Sequence, residues 1–291
     1  MTTTTFSFTT NKSYTQKLES SLIYTVWKQG RARGGAPIEI EVRTSFVGEG
    51  AQISIKVMGS SSKKITSFND YIFGNRYRVA IILPPNLNVG EELWFDVKLS
   101  KQKLKGSSNR IPAFPMPQLL SMGWNQEIVR EGDVVSFTAQ FDRVQKHEPV
   151  IIHIYEYDRD GIHDLIAQIP AILKDGKLEL LWQFEYHEDT NEIPTQTELN
   201  QYGKSYNPSE YFFVVDIDGL RFGDKQESGL LGYRRALSLV VCDSYQMPIK
   251  NQHVNVHIPD GSIEELISDD EGLVQIDEVV PGALYVEMVE E

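Results

Sequence analysis

Two clusters in this chain place metal-binding side-chain types at suggestive spacing, and both have a simpler reading. His253, Asn255 and His257 alternate with Val254, Val256 and Ile258. On a strand, alternate residues project from one face, so the two imidazoles could share an ion. The same pattern arises with no metal, when the valines and Ile258 face a core and the polar set faces water. Asp158, Asp160, Gly161 and Asp164 have the alternating oxygens and glycine bend that open a calcium loop. The bidentate Glu that closes such a loop is missing, and Asp and Gly between two strands are ordinary hairpin residues. His187, Glu188 and Asp189 offer carboxylates with no nucleophile to serve. There is no Gly-x-Ser-x-Gly elbow, no His-Glu-x-x-His and no P-loop. The expectation is a chain with no catalytic residues, no metal and no cofactor.

Binding residues are easier to nominate. Lys101, Lys103 and Lys105, with Arg110 after them, could meet phosphates or an acidic protein; the plain alternative is a solvated loop. Arg31 and Arg33 sit in a turn punctuated by Gly30, Gly34 and Gly35. Trp94 lies between inward-facing Leu93 and Phe95, so strand parity turns it outward, where it could bind a sugar or a receptor, as could Tyr77. Trp124 and Trp182 read as core pins. Phe6 and Phe8 stand in a Thr-rich tail, either frayed or ordered on a partner as two anchors of one strand face.

The elements that position these residues are strands. Residues 37–43 and 51–57 alternate strictly, with Ile38, Ile40, Val42, Ile53, Ile55 and Val57 inward and Glu39, Glu41 and Arg43 outward. Residues 92–99 do the same. Short strands at regular spacing with no helical period between them predict a β-sandwich or barrel. Three prolines within 111–117 predict a stiff linker. More strands follow over 134–141, 150–157, 178–186 and 210–217, with a short capped helix over 195–203, where Thr195 and Glu198 form a capping box. A last run of short strands fills 236–291, and Cys242 follows the apolar run Leu239, Val240, Val241, predicting a buried, inert thiol. The expected division is a tail over 1–20, a sandwich over 21–112, a linker over 113–119, a second sandwich over 120–235 and a small module over 236–291.

Composition sets the outer limits. The 291 residues include one Cys, which excludes an internal disulfide and a Cys-based zinc cage. Hydrophobic residues at 41% and charged residues at 24% exclude wholesale disorder. No run approaches the ~18 apolar residues of a membrane helix. The N-terminus lacks the basic and apolar regions of a secretory signal, so the expected site of synthesis is the cytoplasm, with any export by another route. The net charge of -13 argues against general nucleic-acid binding. Its distribution is uneven. Residues 1–112 carry 16 basic and 8 acidic side chains, residues 113–235 carry 11 and 21, and residues 236–291 carry 1 and 12. A basic front and an acidic back suit an object that docks by its ends.

A family resemblance goes further than spacing. The phrases in question are Met122-Gly-Trp124, Val129-Arg-Glu-Gly-Asp133, Asp158-Arg-Asp-Gly161, Gly176-Lys-Leu-Glu179, Trp182-Gln-Phe-Glu-Tyr186, Asp189-Thr-Asn-Glu-Ile-Pro194, Glu210-Tyr-Phe-Phe-Val214 and Ser228-Gly-Leu-Leu231. They resemble accessory β-domains fused behind spike proteins of type VI secretion and related phage-tail-like contractile injection systems. The closing residues, with Pro248, Ile258-Pro-Asp-Gly261, Asp270-Glu-Gly272 and Val280-Pro-Gly282, resemble a transthyretin-like repeat. The opening region, with Trp27-Lys-Gln-Gly30 and Gly74-Asn75-Arg76, resembles the Ig-like unit that often precedes them. The resemblance implies an all-β, elongated chain of tandem sandwiches. It implies a non-enzymatic structural or adaptor subunit whose partners are spike, tube or baseplate proteins, or cargo. The alternative is a surface-recognition module that binds carbohydrate or a receptor through exposed aromatics.

Overall fold

The computed structural model describes residues 15–60, 63–159, 161–186 and 207–289. The helix expected over 195–203, the tail anchors Phe6 and Phe8, and the cluster from His187 to Asp189 lie outside the described residues. The chain divides into two compact units, Met1–Met116 and Pro117–Glu291. Every regular element among the described residues is a strand.

In the first unit, β1 (Ser21–Trp27), β3 (Pro37–Ser45) and β6 (Arg76–Ile82) form one antiparallel sheet. The facing sheet contains β2 (Ala32–Arg33), β4 (Ala51–Gly59), β5 (Lys64–Ile72), β7 (Glu91–Leu99), β8 (Leu104–Ser107) and β9 (Ile111–Phe114). Its strand order is β2-β9-β7-β4-β5, with β8 hydrogen-bonded along the far end of β7. Period-two alternation explains the core. Ile38, Ile40 and Val42 of β3 meet Ile53, Ile55 and Val57 of β4 and Leu93, Phe95 and Val97 of β7. Each fully buried side chain of this kind stabilises the fold by roughly 1.5–3 kcal/mol. Trp27 and Phe95 pin the two sheets edge to face, with ring centroids 4.8 Å apart.

The proline-rich stretch differs from the expected linker. β9 carries Pro112 yet pairs with β7 from Ile111 to Ala113, and its Ala113 and Phe114 pair in parallel with β2. Ile111 and Ala113 alternate inward and are buried, which commits this stretch to the sheet. Because β2 reaches only Ala113 and Phe114, Pro112 lies beyond the two-sided part of the ladder. Only residues 115–117 separate β9 from the next strand, and the unit boundary falls among them.

The second unit opens with β10 (Gln118–Trp124), β11 (Ile128–Val129), β12 (Val134–Asp142), β13 (His147–Glu156), β14 (Asp164–Lys174) and β15 (Lys177–Gln183). It continues with β16 (Glu210–Ile217), β17 (Leu220–Phe222) and β18 (Leu231–Tyr233). These strands are hydrogen-bonded in one path, but β14 and β15 pair only at Lys174 and Lys177. The path folds there into two layers, β10-β12-β15 against β14-β13-β16-β18-β11. Phe137, Ala139 and Phe141 from one layer pack on Ile152, Ile154, Phe213 and Val215 from the other. Trp124 and Trp182 are partly buried against this core, as expected of pins. The corner is an Asp175–Gly176 turn with φ of 50° and 77°, the left-handed pair that a two-residue hairpin requires.

The same unit ends in two small sheets. β19 (Arg235–Val240) pairs with β22 (Leu273–Val279). β20 (His253–His257) lies between β21 (Ile263–Ile267) and β23 (Tyr285–Met288). Val254, Val256 and Val274 form their core with Leu237, Leu239 and Ile276. An Arg130–Glu278 ion pair at 3.3 Å links these sheets to the preceding sandwich. Cys242 is exposed, against expectation. Leu237, Leu239 and Val241 take the inward positions, so parity places Cys242 outside with Val240, which is 59% exposed. A continuous apolar run concealed an alternating strand.

Candidate binding face

The outer face of the six-stranded sheet has a defined chemistry, set by register. Across β5, β4, β7 and β8, one row reads Ser67, Lys56, Asp96, Ser107. The next reads Asn69, Ser54, Lys98, Lys105. The residues between them, Ile55 and Val97, face the core, so these two rows face solvent. They line a depression of about 610 Å³. Its other polar groups are bonded across the strands, and one of them, Asp96, places a carboxylate on this face directly opposite Lys56. The Ser54 hydroxyl donates to Asn69 Oδ1 at 2.6 Å, and the Ser107 hydroxyl donates to Asp96 Oδ1 at 2.6 Å.

The cations are not so provided for. Lys56, Lys98 and Lys105 are exposed and make no ion pair among the described residues. Lys98 and Lys105 lie directly opposite each other in the ladder. Like charges at such positions disfavour the pairing. An anion seated between them removes that cost, so the arrangement is suited to an acidic ligand.

The neighbouring surface continues the theme. Trp94 projects outward from β7, as parity requires, and the Arg110 guanidinium lies 4.4 Å from its ring centroid. Arg110 also donates to Glu92 Oε2 at 3.0 Å. A ring face on which a sugar would stack is therefore occupied. At the tip of the β7–β8 hairpin, Lys101 and Lys103 line a second hollow with Lys17 and Phe46. Lys103 has φ of 60°, which turns the hairpin there. Lysines thus flank this hairpin on both sides.

Two nominated residues are placed differently. Arg33 is buried, not presented on a turn. Its backbone joins the β2–β9 ladder, its guanidinium lies 5.1 Å from the Phe114 ring centroid, and Nη1 donates to the Pro115 carbonyl at 3.4 Å. Arg31 is half-buried beside it. Tyr77 is 5% exposed, and its hydroxyl donates to Asp70 Oδ2 at 2.9 Å. Burial, and then this bond to Asp70, push its ionisation well above the usual phenol range. It offers no aromatic platform. Sequence inspection passed over Lys56 and Lys98. Alternation marks both as outward, but only the pairing of β4, β7 and β8 brings them to Lys105.

Glu41 is a second departure. It faces outward from β3, as its parity predicts, yet it is 3% exposed. Tyr24 donates to Oε1 at 2.7 Å, Arg76 Nη2 lies 3.1 Å from Oε1 and Lys28 Nζ lies 3.5 Å from Oε2. The long side chains of neighbouring strands close over it, a cover one side chain deep. The Tyr24 hydroxyl and then the Arg76 and Lys28 charges hold its carboxyl below the usual range, against the opposing effect of burial. The same bond raises Tyr24. With all its partners in place, this cluster is structural.

The histidine face is likewise engaged. His257 stacks on Tyr285 with centroids 3.9 Å apart, and its Nε2 is 3.3 Å from Glu287 Oε2. Asp158 Oδ1 accepts from Asn207 Nδ2 at 3.1 Å, while Asp160 lies outside the described residues. Among the described residues no cluster of three or more His, Cys, Asp or Glu is placed to hold a metal ion. On the second unit, Arg221 donates to Asp224 through Nε and Nη2 and to the Tyr155 hydroxyl through Nη2 at 3.1 Å, with its guanidinium 5.4 Å from the Tyr155 ring centroid. Among the described residues no helix is long and apolar enough to cross a membrane.

No protein-family model matches the chain, and no curated protein matches it. Solved structures to which the chain is weakly similar include α2-macroglobulin of Escherichia coli, at 9% identity and a TM-score of 0.29, with 93% of this chain and 21% of that one covered. Another is a tetra-tandem repeat from the extending region of a large adhesion protein, at 10% identity and a TM-score of 0.28, covering 92% and 73%. A third is latent PorU from Porphyromonas gingivalis, at 9% and 0.27, covering 94% and 33%. The chain spans about a fifth of the length of the macroglobulins it matches.

Proposed function

We propose that this chain is a non-enzymatic adaptor that seats an acidic protein surface on the outer face of β5-β4-β7-β8. The observation that carries this reading is the opposed, unpaired Lys98 and Lys105, with Lys56 one row away. The charged groups converge on a shallow sheet face rather than an enclosed cleft, a shape suited to a protein partner. The resemblance of residues 122–231 to spike-associated β-domains supports a particular setting. There the partners are spike, tube or baseplate proteins of a phage-tail-like contractile injection system, or its cargo. The test is capture by the tagged full chain from cells that assemble such a particle, at low and high salt. Spike, tube or baseplate subunits should be retained at low salt and released at high salt. Lys56→Glu, Lys98→Glu and Lys105→Glu combined should abolish retention. Equal retention by wild type and triple variant removes the binding face, and retention of none of those subunits removes the proposed setting.

A further inference from the structure

One end of the β19–β22 sheet holds large apolar side chains in solvent on a rigid frame. β19 runs out at Val240, and the chain turns back over residues 243–247. Tyr245 and Met247 on this turn are 85% and 62% exposed. Asp243 Oδ1 accepts from the Tyr245 N–H at 2.8 Å and from the Met247 N–H at 3.0 Å. The Asp243 N–H donates to the Met247 carbonyl at 2.9 Å, and the Gln246 N–H to the Asp243 carbonyl at 3.0 Å. Below the turn, Cys242 pairs with Pro248, and Val240 pairs with Leu273. Residues paired across a ladder share a face, as do residues two apart on a strand. Val240, Cys242, Pro248 and Leu273 therefore form one outward strip that leads up to Tyr245 and Met247. Val240, Cys242 and Pro248 are exposed and Leu273 is half-buried.

A second turn, residues 269–273, packs beside the first. The Val241 N–H donates to the Gly272 carbonyl at 2.8 Å, and a Cβ on Gly272 would lie 2.9 Å from Pro248 Cβ. This turn brings exposed Asp270 and Glu271 to the same end as exposed Asp243. Lys250 is the one basic residue in 236–291, against 12 acidic ones. The apolar strip thus has an acidic border.

Exposed apolar side chains that cluster within a polar border mark surfaces that other proteins cover. Tyrosine is among the residues that dominate binding energy, and methionine adapts its shape to a partner. Because hydrogen bonds already order the turn, docking costs little further backbone entropy. The border selects the sign of the partner. A second copy offering this same surface would set acid against acid, and nucleic acid is repelled for the same reason. We infer that this end of the chain docks a protein surface that is apolar at its centre and lined with Lys or Arg. Tyr245 and Met247 enter the apolar centre, Val240 and Cys242 flank them, and Asp270 and Glu271 face the cations. The site belongs to the second unit and owes nothing to the lysine face of the first, so the two readings stand or fall separately.

Cys242 is the only cysteine in the chain, so a reporter can be set in the strip without any substitution. The full chain carrying a benzophenone maleimide on Cys242 is irradiated with an extract of the cells that natively make it. The cross-linked peptide is then sequenced by mass spectrometry. One protein should be captured, at a peptide that joins apolar residues to Lys or Arg. Tyr245→Ser with Met247→Ser should lower the yield by about tenfold or more. Asp270→Lys with Glu271→Lys should lower it by about two- to fivefold, the range for exposed ion pairs. Raising salt from 0.1 M to 1 M shortens the screening length from ~10 Å to ~3 Å and should cause a similar loss in the wild type, but not in the Asp270→Lys, Glu271→Lys variant. Lys56→Glu, Lys98→Glu and Lys105→Glu combined should leave the yield unchanged. Circular dichroism verifies that each variant is folded. No cross-linked protein, a product of twice the chain's own mass, or an acidic cross-linked peptide overturns the inference. So does a yield indifferent to Tyr245→Ser with Met247→Ser. If the yield instead falls with the three lysine substitutions alone, the partner is held by the first unit: the tip inference fails and the adaptor reading stands.

Discussion

Gly176 is the corner on which the second sandwich turns, and replacing it separates two costs that usually come together. Its φ is 77°, and a Cβ built there would lie 2.3 Å from the Phe141 carbonyl oxygen. Gly219 provides the matched control. It follows Asp218 in the β16–β17 turn as Gly176 follows Asp175, its φ is 82°, and nothing lies within 4 Å of its Cβ position. Gly219→Ala should therefore cost only the left-handed backbone term, about 1–2 kcal/mol. Gly176→Ala adds displacement of Phe141. The Phe141 N–H donates to the Gly176 carbonyl at 2.7 Å, so relief of the clash strains that bond as well. A lost bond is about 1 kcal/mol and local overpacking about 1–3 kcal/mol more. The total for Gly176→Ala is then roughly 3–6 kcal/mol. The unfolded-chain benefit of alanine over glycine is common to both and cancels. At roughly 2–4 °C per kcal/mol for a unit of this size, the second unit should melt roughly 6–24 °C lower with Gly176→Ala and roughly 2–8 °C lower with Gly219→Ala. Calorimetry of the full chain reads both shifts on the same transition. Equal shifts would refute the claim that the Phe141 carbonyl makes this position glycine-only.

Two further outcomes follow from the charged cluster and the thiol. Glu41 has a depressed folded-state pKa, so its contribution is present above the unfolded carboxylate value near 4.5 and is lost as pH falls through the lower folded value. Glu41→Gln should thus destabilise the first unit at neutral pH, and the gap to wild type in urea midpoint should narrow as pH falls below 4.5. A gap independent of pH would mean that packing, not charge, is what the substitution removes. Tyr24, whose value is raised, runs the other way and loses its contribution as pH climbs above about 10. Cys242 is exposed, so a thiol reagent should label the native protein at a rate close to that of the unfolded chain, and protection would contradict its outward placement just past the end of β19, where it bridges to Pro248.

The sequence by itself determined the elements and the faces of its first sandwich. Strict alternation at 37–43, 51–57 and 92–99 forces one side of each strand into a core, because side chains on a pleated strand have no other choice. Trp94 was legible as outward for that reason, and the charge asymmetry could be counted directly. Parity, however, specifies a side and not an environment. Glu41 was assigned to the outer face and lies there, but Tyr24, Arg76 and Lys28 from other elements close over it. Cys242 was misjudged where four apolar-type residues in a row hid the alternation, and Arg33 where a two-residue strand pairs with a partner some eighty residues away. Pro112 looked like a breaker because its pairing depends on how little of β9 the neighbouring β2 covers. The binding face itself was only half visible. Lys105 stood out within a basic run, while Lys56 and Lys98 each read as an ordinary outward residue of a separate strand. Register alone decides which residues of distant strands stand opposite one another. That register is set by hydrogen-bonded ladders and a shared core, both of which are properties of the folded chain.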